Sequence, residues 1–214
     1  MKSPKVAIID YEMCNLFSVN HACLNEGLTP IITRDPKKID EADAVILPGV
    51  GAFGDAMKNL REHNLVDVLE RSCRTKPFMG ICLGLQLLFD ESHEFGHHNG
   101  LGIISGCVKK FPSQKDGSRI KVPQIGWNKI SFPMNEPIFD GIPKNSFFYF
   151  IHSYYVNPNN DNDLLASTNY EKIEYCSAVK NDNIIAFQFH PEKSGELGLN
   201  IYKNWKKKIQ QKGY

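Results

Sequence analysis

The sequence predicts an α/β fold with a mostly parallel central sheet and a β-rich second half. In the N-terminal half, short apolar runs alternate with stretches of helical periodicity, which is the pattern of βαβ units and parallel strands. In the C-terminal half, β-branched and aromatic runs are separated by proline, asparagine and glycine. The 214 residues, 42% hydrophobic and 23% charged, have the composition of a globular protein with a sizeable core.

The N-terminal half divides into alternating elements. An apolar run ends at Asp10, a helical pattern closes at Gly27, and a third apolar run stops at Pro48. An amphipathic pattern continues from Ala56 to about Arg74 and predicts one long helix. The predicted strands are 5–9, 28–33, 43–47 and 77–81, and the predicted helices are 17–26, 56–74 and 83–89.

The C-terminal half is predicted to consist mainly of strands. These are 120–132, 147–156, 174–179 and 184–189, with a polar turn at 157–163 and a basic helix at 195–211. The sequence contains no internal repeat and no linker long enough to divide it. We therefore expect residues 1–214 to form a single domain.

Charge and cysteine content exclude several classes of protein. The formal net charge is +1, so bulk electrostatics favours neither nucleic acid nor a membrane surface as a partner. No apolar run approaches the ~20 residues of a membrane span. Residues 1–5 show no export signal, so we expect a cytoplasmic protein. The six cysteines lack the paired spacing of a zinc site, and we expect free thiols, no metal and no cofactor.

The segment Gly80-Ile-Cys-Leu-Gly84 carries the first chemical signal. It follows an apolar strand and precedes a helical pattern, as in a nucleophile elbow with Cys82 in the place of serine. Glycines two positions before and after the nucleophile remove side chains that would clash at a strained turn. The N–H groups of the following helix favour a thiolate and can stabilise an oxyanion. A core thiol between unrelated glycines is the alternative explanation.

A thiol nucleophile needs a base, and His190 is the candidate. It ends the apolar strand 184–189 and begins the sequence His190-Pro191-Glu192. In an extended segment, residues two apart point the same way. Glu192 can then accept a hydrogen bond from one ring nitrogen of His190 while the other faces Cys82. A strand-ending turn with a solvated glutamate is the alternative.

A glycine-rich loop, 48–54, directly follows the third predicted strand. Glycine lets a backbone amide turn toward a ligand, so this loop can supply a second N–H donor to an oxyanion. Its glycine spacing is not that of a dinucleotide-binding turn, and no Walker lysine follows, so we expect no nucleotide site. A flexible strand–helix turn is the alternative.

Together these segments resemble the class I (triad) glutamine amidotransferases, and within that class the HisH branch, the glutaminase subunits of imidazole glycerol phosphate synthase. The resemblance covers nearly the whole chain and implies a flavodoxin-like three-layer fold. The elbow and His-Pro-Glu are shared by the class, whereas Gly-Trp-Asn and Tyr-Phe-x-His-Ser-Tyr point to the branch. The matching segments are 9–11, 47–51, 79–89, 123–128, 148–155 and 187–194.

The resemblance also implies roles for individual residues. Cys82, His190 and Glu192 would form the triad that hydrolyses glutamine to glutamate and ammonia through a γ-glutamyl thioester. The remaining roles would fall to backbone N–H groups of Val50, Gly51 and Leu83 for the oxyanion hole, to Gly49, Gln86, Glu94, Ser153 and Tyr154 for glutamine binding, and to Trp127, Asn128, Tyr149 and Lys193 for the partner interface and ammonia exit.

The implied partner is a (β/α)8-barrel cyclase of the HisF type, which would receive the ammonia within a heterodimer in histidine biosynthesis. Two motifs depart from the family pattern. Glu12 and Cys14 replace both glycines of Asp-Tyr-Gly-x-Gly-Asn, and Gln124 replaces the histidine that precedes Gly-Trp-Asn. Both departures are compatible with a HisH-like paralogue that supplies ammonia to a different synthase, such as one in bacterial surface-sugar biosynthesis.

Two other classes of protein compete with this interpretation. A free-standing cysteine hydrolase, such as a γ-glutamyl peptidase, would need no partner. The Gly-Trp-Asn segment and the absence of an obvious lid disfavour it. A regulatory subunit with an inactive site would only bind, and the intact set of Cys82, His190 and Glu192 counts against it.

Overall fold

The computed structural model describes residues 3–211, and strands from both halves of the chain join one large sheet. Met1 and Lys2, part of the segment expected to carry no export signal, lie outside the described residues. The helices are α1 (Leu16–Asn25), α2 (Pro36–Asp40), α3 (Phe53–Glu62), α4 (Val66–Thr75), α5 (Leu83–Gln86) and α6 (Gly195–Gln211), with 3-10 turns at Pro137–Phe139, Asp161–Asp163 and Pro191–Lys193. The strands are β1 (Lys5–Ile9), β2 (Thr29–Thr33), β3 (Ala44–Leu47), β4 (Phe78–Ile81), β5 (Phe89–Ser92), β6 (His98–Asn99), β7 (Ile104–Lys110), β8 (Gln114–Lys115), β9 (Ser118–Arg119), β10 (Gln124–Lys129), β11 (Phe147–His152), β12 (Tyr154–Pro158), β13 (Leu164–Tyr170), β14 (Ile173–Asn181) and β15 (Ile184–Phe187).

The large sheet is parallel on one side and mainly antiparallel on the other. Its strand order within the described residues is β2-β1-β3-β4-β15-β14-β12-β7-β5-β6, and β13 pairs with β14. All neighbours from β2 to β15 run parallel. β14 and β12 then pair in the antiparallel sense. The predicted α/β fold with a β-rich second half is confirmed.

Helices cover the sheet on both faces and give three layers. Because successive strand residues point to opposite faces, β1 contributes to two separate hydrophobic clusters. Val6 and Ile8 pack with residues of α1 and α6, whereas Ala7 and Ile9 pack with residues of α2, α3 and α4. Each large apolar side chain buried in this way stabilises the fold by roughly 1.5–3 kcal/mol. No helix of the described residues is both long and apolar enough to span a bilayer.

Two predicted helices differ from the structure. The predicted helix 56–74 is wrong as a single element, because α3 ends at Glu62 and α4 begins at Val66. Asn64 between them has a φ of 55°, a left-handed conformation that ends the α-helical hydrogen-bond ladder. The predicted helix 83–89 is also too long. It is a single turn that ends at Gln86, and β5 begins at Phe89.

The predicted strand 147–156 divides at Ser153 into β11 and β12. β11 pairs with β10 in a separate two-stranded sheet, whereas β12 lies between β14 and β7 in the large sheet. The change of direction at Ser153 brings the residues on either side of it to the wall of the candidate site described below.

Candidate active site at the carboxyl edge of the parallel strands

Cys82 lies directly after β4, at the turn into α5. Its backbone angles, φ 54° and ψ −111°, are rare for a residue with a side chain, so the strain expected of an elbow is present. The flanking glycines provide necessary space. A Cβ atom on Gly84 would overlap the carbonyl oxygen of Leu47, and one on Gly80 would lie 2.9 Å from a side chain of β15.

His190 follows β15, the strand beside β4. Because these strands are parallel, their carboxyl ends lie at the same edge of the sheet, although the two residues are far apart in sequence. The Nδ1 atom of His190 donates a 2.7 Å hydrogen bond to Oε1 of Glu192, and the two side chains are only 2% and 1% exposed. The other ring nitrogen, Nε2, has no hydrogen-bond partner among the described residues.

The backbone around this pair differs from the extended segment that the sequence predicts. Pro191–Lys193 forms a 3-10 turn, and proline at its first position fixes the φ angle that such a turn needs. The turn still brings Glu192 under the ring. Ser194 then connects the segment to β11, because its hydroxyl donates to the carbonyl of His190 and accepts from the N–H of Tyr149.

Two histidines near the cavity have opposite electrostatic environments. Burial disfavours a charged imidazole at His190, but Cys82 and Glu192 together outweigh burial and raise the pKa of His190 to about 10. At His152 burial dominates and lowers the pKa to about 4. These surroundings favour the charged form of His190 and the neutral form of His152.

A cavity of about 340 Å³ joins Cys82 and His190 to the predicted glutamine-binding residues. Gly49 does not line it. This glycine is a buried residue of the loop 48–54, and a Cβ atom at its position would overlap the hydroxyl of Tyr11. The predicted residues that line the cavity are Val50, Gly51, Cys82, Leu83, Gln86, Glu94, Ser153, Tyr154, His190 and Lys193.

Two buried carboxamides form a hydrogen-bonded chain that ends at the sulfur. Nε2 of Gln86 donates to the carbonyl oxygen of Tyr154 at 3.1 Å and to Oε1 of Gln188 at 3.0 Å. Nε2 of Gln188 in turn donates to Sγ of Cys82 at 3.7 Å. Sequence reasoning missed Gln188, although its position two residues before His190 in an extended run was a usable signal.

The predicted oxyanion donors are not all free. The N–H of Val50 donates a 2.9 Å hydrogen bond to the carbonyl oxygen of Met13, whereas Leu83 opens α5, where a helix leaves its first N–H groups unpaired. Glu94 stands at the other end of the cavity. Its Oε2 accepts from the N–H of Phe53 at 2.7 Å, and burial raises the pKa of its carboxyl group.

Met13, which accepts the hydrogen bond from Val50, belongs to the loop after β1. In this loop Glu12 and Cys14 replace the two family glycines. Glu12 keeps a positive φ of 75°, a conformation that suits glycine, and its carboxylate forms a 2.7 Å ion pair with Arg34. The thiol of Cys14 donates to the carbonyl oxygens of Ile9 and Pro48. These contacts hold the loop after β1 in place, although it lacks the two glycines of the family. The contact of Cys14 with Pro48 joins it to the glycine-rich loop 48–54.

The other departure, Gln124, belongs to a buried polar chain behind the cavity. Nδ1 of His152 contacts the carbonyl oxygen of Tyr154 at 2.7 Å, so this nitrogen carries the proton. Nε2 is then the acceptor nitrogen and lies 3.2 Å from the hydroxyl of Tyr175, whose one hydrogen can serve either this nitrogen or Oε1 of Gln124. Tyr175 lies 3.1 Å from the amide of Gln124, which completes the chain.

The predicted partner residues fall into two groups. Trp127 is 56% exposed, its ring lies 6.1 Å from that of Tyr149, and Lys193 is exposed nearby at the cavity. Asn128 instead donates its side-chain amide to the carbonyl of Asn169. Trp127 is accompanied on β10 and β11 by exposed apolar side chains outside the predicted set. With Trp127 they form a surface that we call the apolar face: Ile125, Trp127, Phe147 and Ile151.

All six cysteines are free thiols. In residues 3–211, no group of three or more histidine, cysteine, aspartate or glutamate side chains is placed to hold a metal ion.

Comparison with known proteins gives consistent results in sequence and structure. The model of the class I glutamine amidotransferase family matches residues 7–208. Solved structures with the same fold include PurLQS from Thermotoga maritima, with a TM-score of 0.71, 19% identity and coverage of 95% of this chain and 97% of that chain. A glutamine amidotransferase from the same organism has a TM-score of 0.61 and 16% identity, covering 99% and 86%.

Curated relatives are much closer in sequence. The chain is 47% identical to imidazole glycerol phosphate synthase subunit HisH of Sulfurimonas denitrificans, over 94% of this chain and 97% of that protein. It is 46% identical to the HisH subunit of Aquifex aeolicus, over 97% and 98%. With this level of identity over nearly the full length, the chain belongs to the class I glutamine amidotransferases and, within them, to the HisH family of imidazole glycerol phosphate synthase subunits.

Proposed function

We propose that the chain is the glutaminase subunit of an imidazole glycerol phosphate synthase, and that Cys82, His190 and Glu192 are its catalytic triad. One observation carries the proposal. A cysteine with strained backbone and a histidine that is hydrogen-bonded to a buried glutamate line one cavity, at the ends of two adjacent parallel strands. A nucleophile, a base and an orienting carboxylate are the groups that acyl transfer from an amide requires.

The reaction proceeds in two halves. The Cys82 thiolate attacks the side-chain carbonyl carbon of glutamine, a C–S bond forms, and negative charge moves to the carbonyl oxygen. When this adduct collapses, the C–N bond breaks and His190 transfers its Nε2 proton to the leaving nitrogen, which departs as ammonia. Neutral His190 then takes a proton from water, which attacks the thioester. The C–S bond then breaks, the new carboxylic acid gives its proton to water and leaves as glutamate, and the thiolate–imidazolium pair is restored.

Two side chains are suited to hold the amino-acid end of glutamine. Glu94 presents a carboxylate at the cavity, which suits the α-ammonium group of the substrate. Gln86 has both hydrogens of Nε2 engaged by Tyr154 and Gln188, so its Oε1 is the atom left to accept a hydrogen bond from a ligand. Ser153 and Tyr154 close the same wall.

The engaged N–H of Val50 supports a requirement for a partner. While this N–H donates to Met13, it cannot donate to the oxyanion, so the described conformation lacks one oxyanion donor. Loss of a single such donor typically costs about 10²–10³-fold in rate. A partner that turns this peptide toward the cavity would switch hydrolysis on. The same feature disfavours a free-standing cysteine hydrolase.

We propose that the partner is a (β/α)8-barrel cyclase of the HisF type. It would dock on the apolar face, which includes Trp127, and on the neighbouring residues Tyr149 and Lys193. An exposed apolar surface next to the catalytic histidine suits a partner that takes up ammonia directly. The ring of Tyr149, which contacts Trp127 of the apolar face, lies 6.5 Å from that of His190, and this proximity supports transfer of ammonia at this face. We propose that the chain carries out this function in the cytoplasm.

The experiment is to produce the chain with and without the barrel cyclase and to measure glutamate and imidazole glycerol phosphate. We expect slow glutamate release alone and an increase of about 10²-fold or more with the cyclase and its own substrate. Rapid hydrolysis that ignores the partner would indicate a free-standing hydrolase. Replacement of glycines by Glu12 and Cys14 favours one further candidate, a paralogue serving a different synthase. Glutamate release without any imidazole glycerol phosphate would support that candidate.

A further inference from the structure

We propose that Gln188 is a catalytic residue of this site, because its side-chain amide donates a hydrogen bond to the sulfur of Cys82 and stabilises the thiolate. The inference rests on the proposed function of Cys82 as the nucleophile. Gln188 has no exposed surface and lies one residue beyond β15. Its backbone N–H donates to the carbonyl oxygen of Ser177 at 2.9 Å, which fixes the position of the side chain.

The direction of the amide follows from its neighbours. The carbonyl oxygen of Tyr154 can only accept, so the atom of Gln86 that contacts it must be Nε2. The same nitrogen contacts the amide of Gln188, which must present its oxygen there. The opposite end of the Gln188 amide, 3.7 Å from the sulfur of Cys82, is therefore the NH2 group.

An N–H donor at this place changes the balance between thiol and thiolate. The sulfur also lies 3.9 Å from the carbonyl oxygen of Ile151, which accepts from a thiol and favours the protonated form. A hydrogen bond donated to the charged form favours that form. Gln188 thus opposes the effect of Ile151 and acts together with the His190 imidazolium.

Gln86 takes on a second role in this arrangement, as a positioning residue. It connects Gln188 to the carbonyl of Tyr154, a residue of the cavity wall. Without the amide of Gln86, the Gln188 amide would be free to rotate and to present its oxygen to the sulfur. Gln86→Met should therefore weaken the thiolate without removing Gln188.

The test is the pH dependence of alkylation of Cys82 by iodoacetamide, which reacts with the thiolate. Modification of Cys82 is quantified by mass spectrometry in the full chain, without glutamine. The thiols of Cys14 and Cys176 interfere little near neutral pH, because burial raises the pKa of Cys14 to about 11 and of Cys176 to about 12. In Gln188→Met we expect the midpoint of alkylation to move up by about one pH unit, since hydrogen bonds to charged groups have effects of this size.

Activity gives a second readout. At pH values below the wild-type midpoint of alkylation, the Gln188→Met variant should lose about tenfold in kcat, the fall in thiolate that one pH unit implies there, with little change in KM. Gln188→Glu keeps an oxygen for Gln86 but removes the donor and adds negative charge, so its midpoint should move further up. The matched control is Gln124→Met, which makes the same change at another buried amide that contacts Tyr175 and not the sulfur. Its midpoint should equal that of the wild type.

The outcomes separate this inference from the proposed function. An unchanged midpoint in folded Gln188→Met and Gln188→Glu, with folding checked by circular dichroism, would overturn the role of Gln188. If neither variant folds, an unchanged midpoint in Gln86→Met would overturn it. Glutamine hydrolysis that persists in Cys82→Ala would instead overturn the proposed function, and the alkylation result would stand independently of it.

Discussion

The backbone N–H of Cys82 donates a 2.7 Å hydrogen bond to the carbonyl oxygen of Phe187. This bond ties the elbow to the strand that leads to His190, and it continues the parallel register in which Ile81 is paired with Phe187. The relative position of sulfur and imidazole is therefore fixed by the sheet. A site built on adjacent strands is held more rigidly than one built on loops.

Cys82→Ala should abolish glutamine hydrolysis and leave the fold intact. The side chain removed is small and lies at the cavity wall, so little packing is lost. Glutamate release measures the first effect, and circular dichroism with thermal unfolding measures the second. Cys73→Ala is the control, since Cys73 is a buried thiol of α4 and its replacement should cost some stability but no activity. Undiminished ammonia release by Cys82→Ala would contradict the mechanism.

Glu192→Gln should shift the alkaline limb of the pH–activity profile to lower pH. The variant keeps an oxygen that can accept from Nδ1 of His190 but removes the negative charge, which is one of the causes that raise the pKa of His190. The imidazolium would then lose its proton at lower pH. The measurement is kcat/KM from pH 6 to 10, and an alkaline limb at the wild-type position would argue against the role of Glu192.

Acidification below pH 6.5 should destabilise the protein through His152. Its folded pKa is lowered to about 4 from 6.5, so between these values the unfolded chain binds a proton that the folded chain does not. Stability is then lost as pH falls, by about 3 kcal/mol over the window. His190 adds nothing there, because its raised pKa leaves it protonated in the folded state and its contribution is lost only toward pH 10.

Urea unfolding of the wild type and of His152→Gln at pH 7.5 and pH 4.5 measures this effect. The wild type should lose more stability between the two pH values than the variant does. Only this difference between the two proteins isolates His152, since other groups titrate in both. Equal losses would show that His152 is not the buried titrating group.

Trp127→Ala should weaken binding of the barrel partner by tenfold or more, because a large aromatic side chain at the centre of an apolar interface commonly contributes over 1 kcal/mol. Isothermal titration with the cyclase measures the Kd. Phe95→Ala is the matched control. It removes an even more exposed aromatic residue, 86% accessible, that lies outside the apolar face and should leave the Kd unchanged. Equal effects of both changes would refute the assignment of the interface.

Tyr175→Phe should lower the free energy of unfolding by about 1–3 kcal/mol. The change removes the hydroxyl that lies 3.2 Å from Nε2 of His152 and 3.1 Å from Oε1 of Gln124, so these buried acceptors lose their shared donor. Tyr170→Phe serves as the control. Its hydroxyl donates to the carbonyl of Lys121 in a half-exposed place where water can replace it, so the loss should be smaller. Similar losses in the two variants would speak against a neutral His152 that depends on Tyr175.

Local sequence patterns predicted the elements that carry the site but not how some of them end. The apolar run before Cys82 and the glycines around it determine a strand and an elbow by steric need alone. The break at Asn64 was missed because the apolar pattern continues on both sides of a single left-handed residue. The one-turn length of α5 was missed because β5, which follows it, pairs with the distant β7.

The contacts between side chains were harder to foresee than the strands. That Glu192 would reach His190 was expected, but from an extended segment and not from a 3-10 turn. Gln188 and the bond between Val50 and Met13 depend on segments that meet only in the folded chain, so no local periodicity reports them. The roles of the site residues stay predictions until the variants above are measured.

The apolar face also bears on how the protein behaves in the laboratory. When the subunit is produced alone, its exposed isoleucine, tryptophan and phenylalanine side chains remain in contact with water. Concentrated samples should therefore aggregate, and ammonium sulfate should promote this by strengthening the hydrophobic effect. Co-expression with the second subunit should improve solubility and yield.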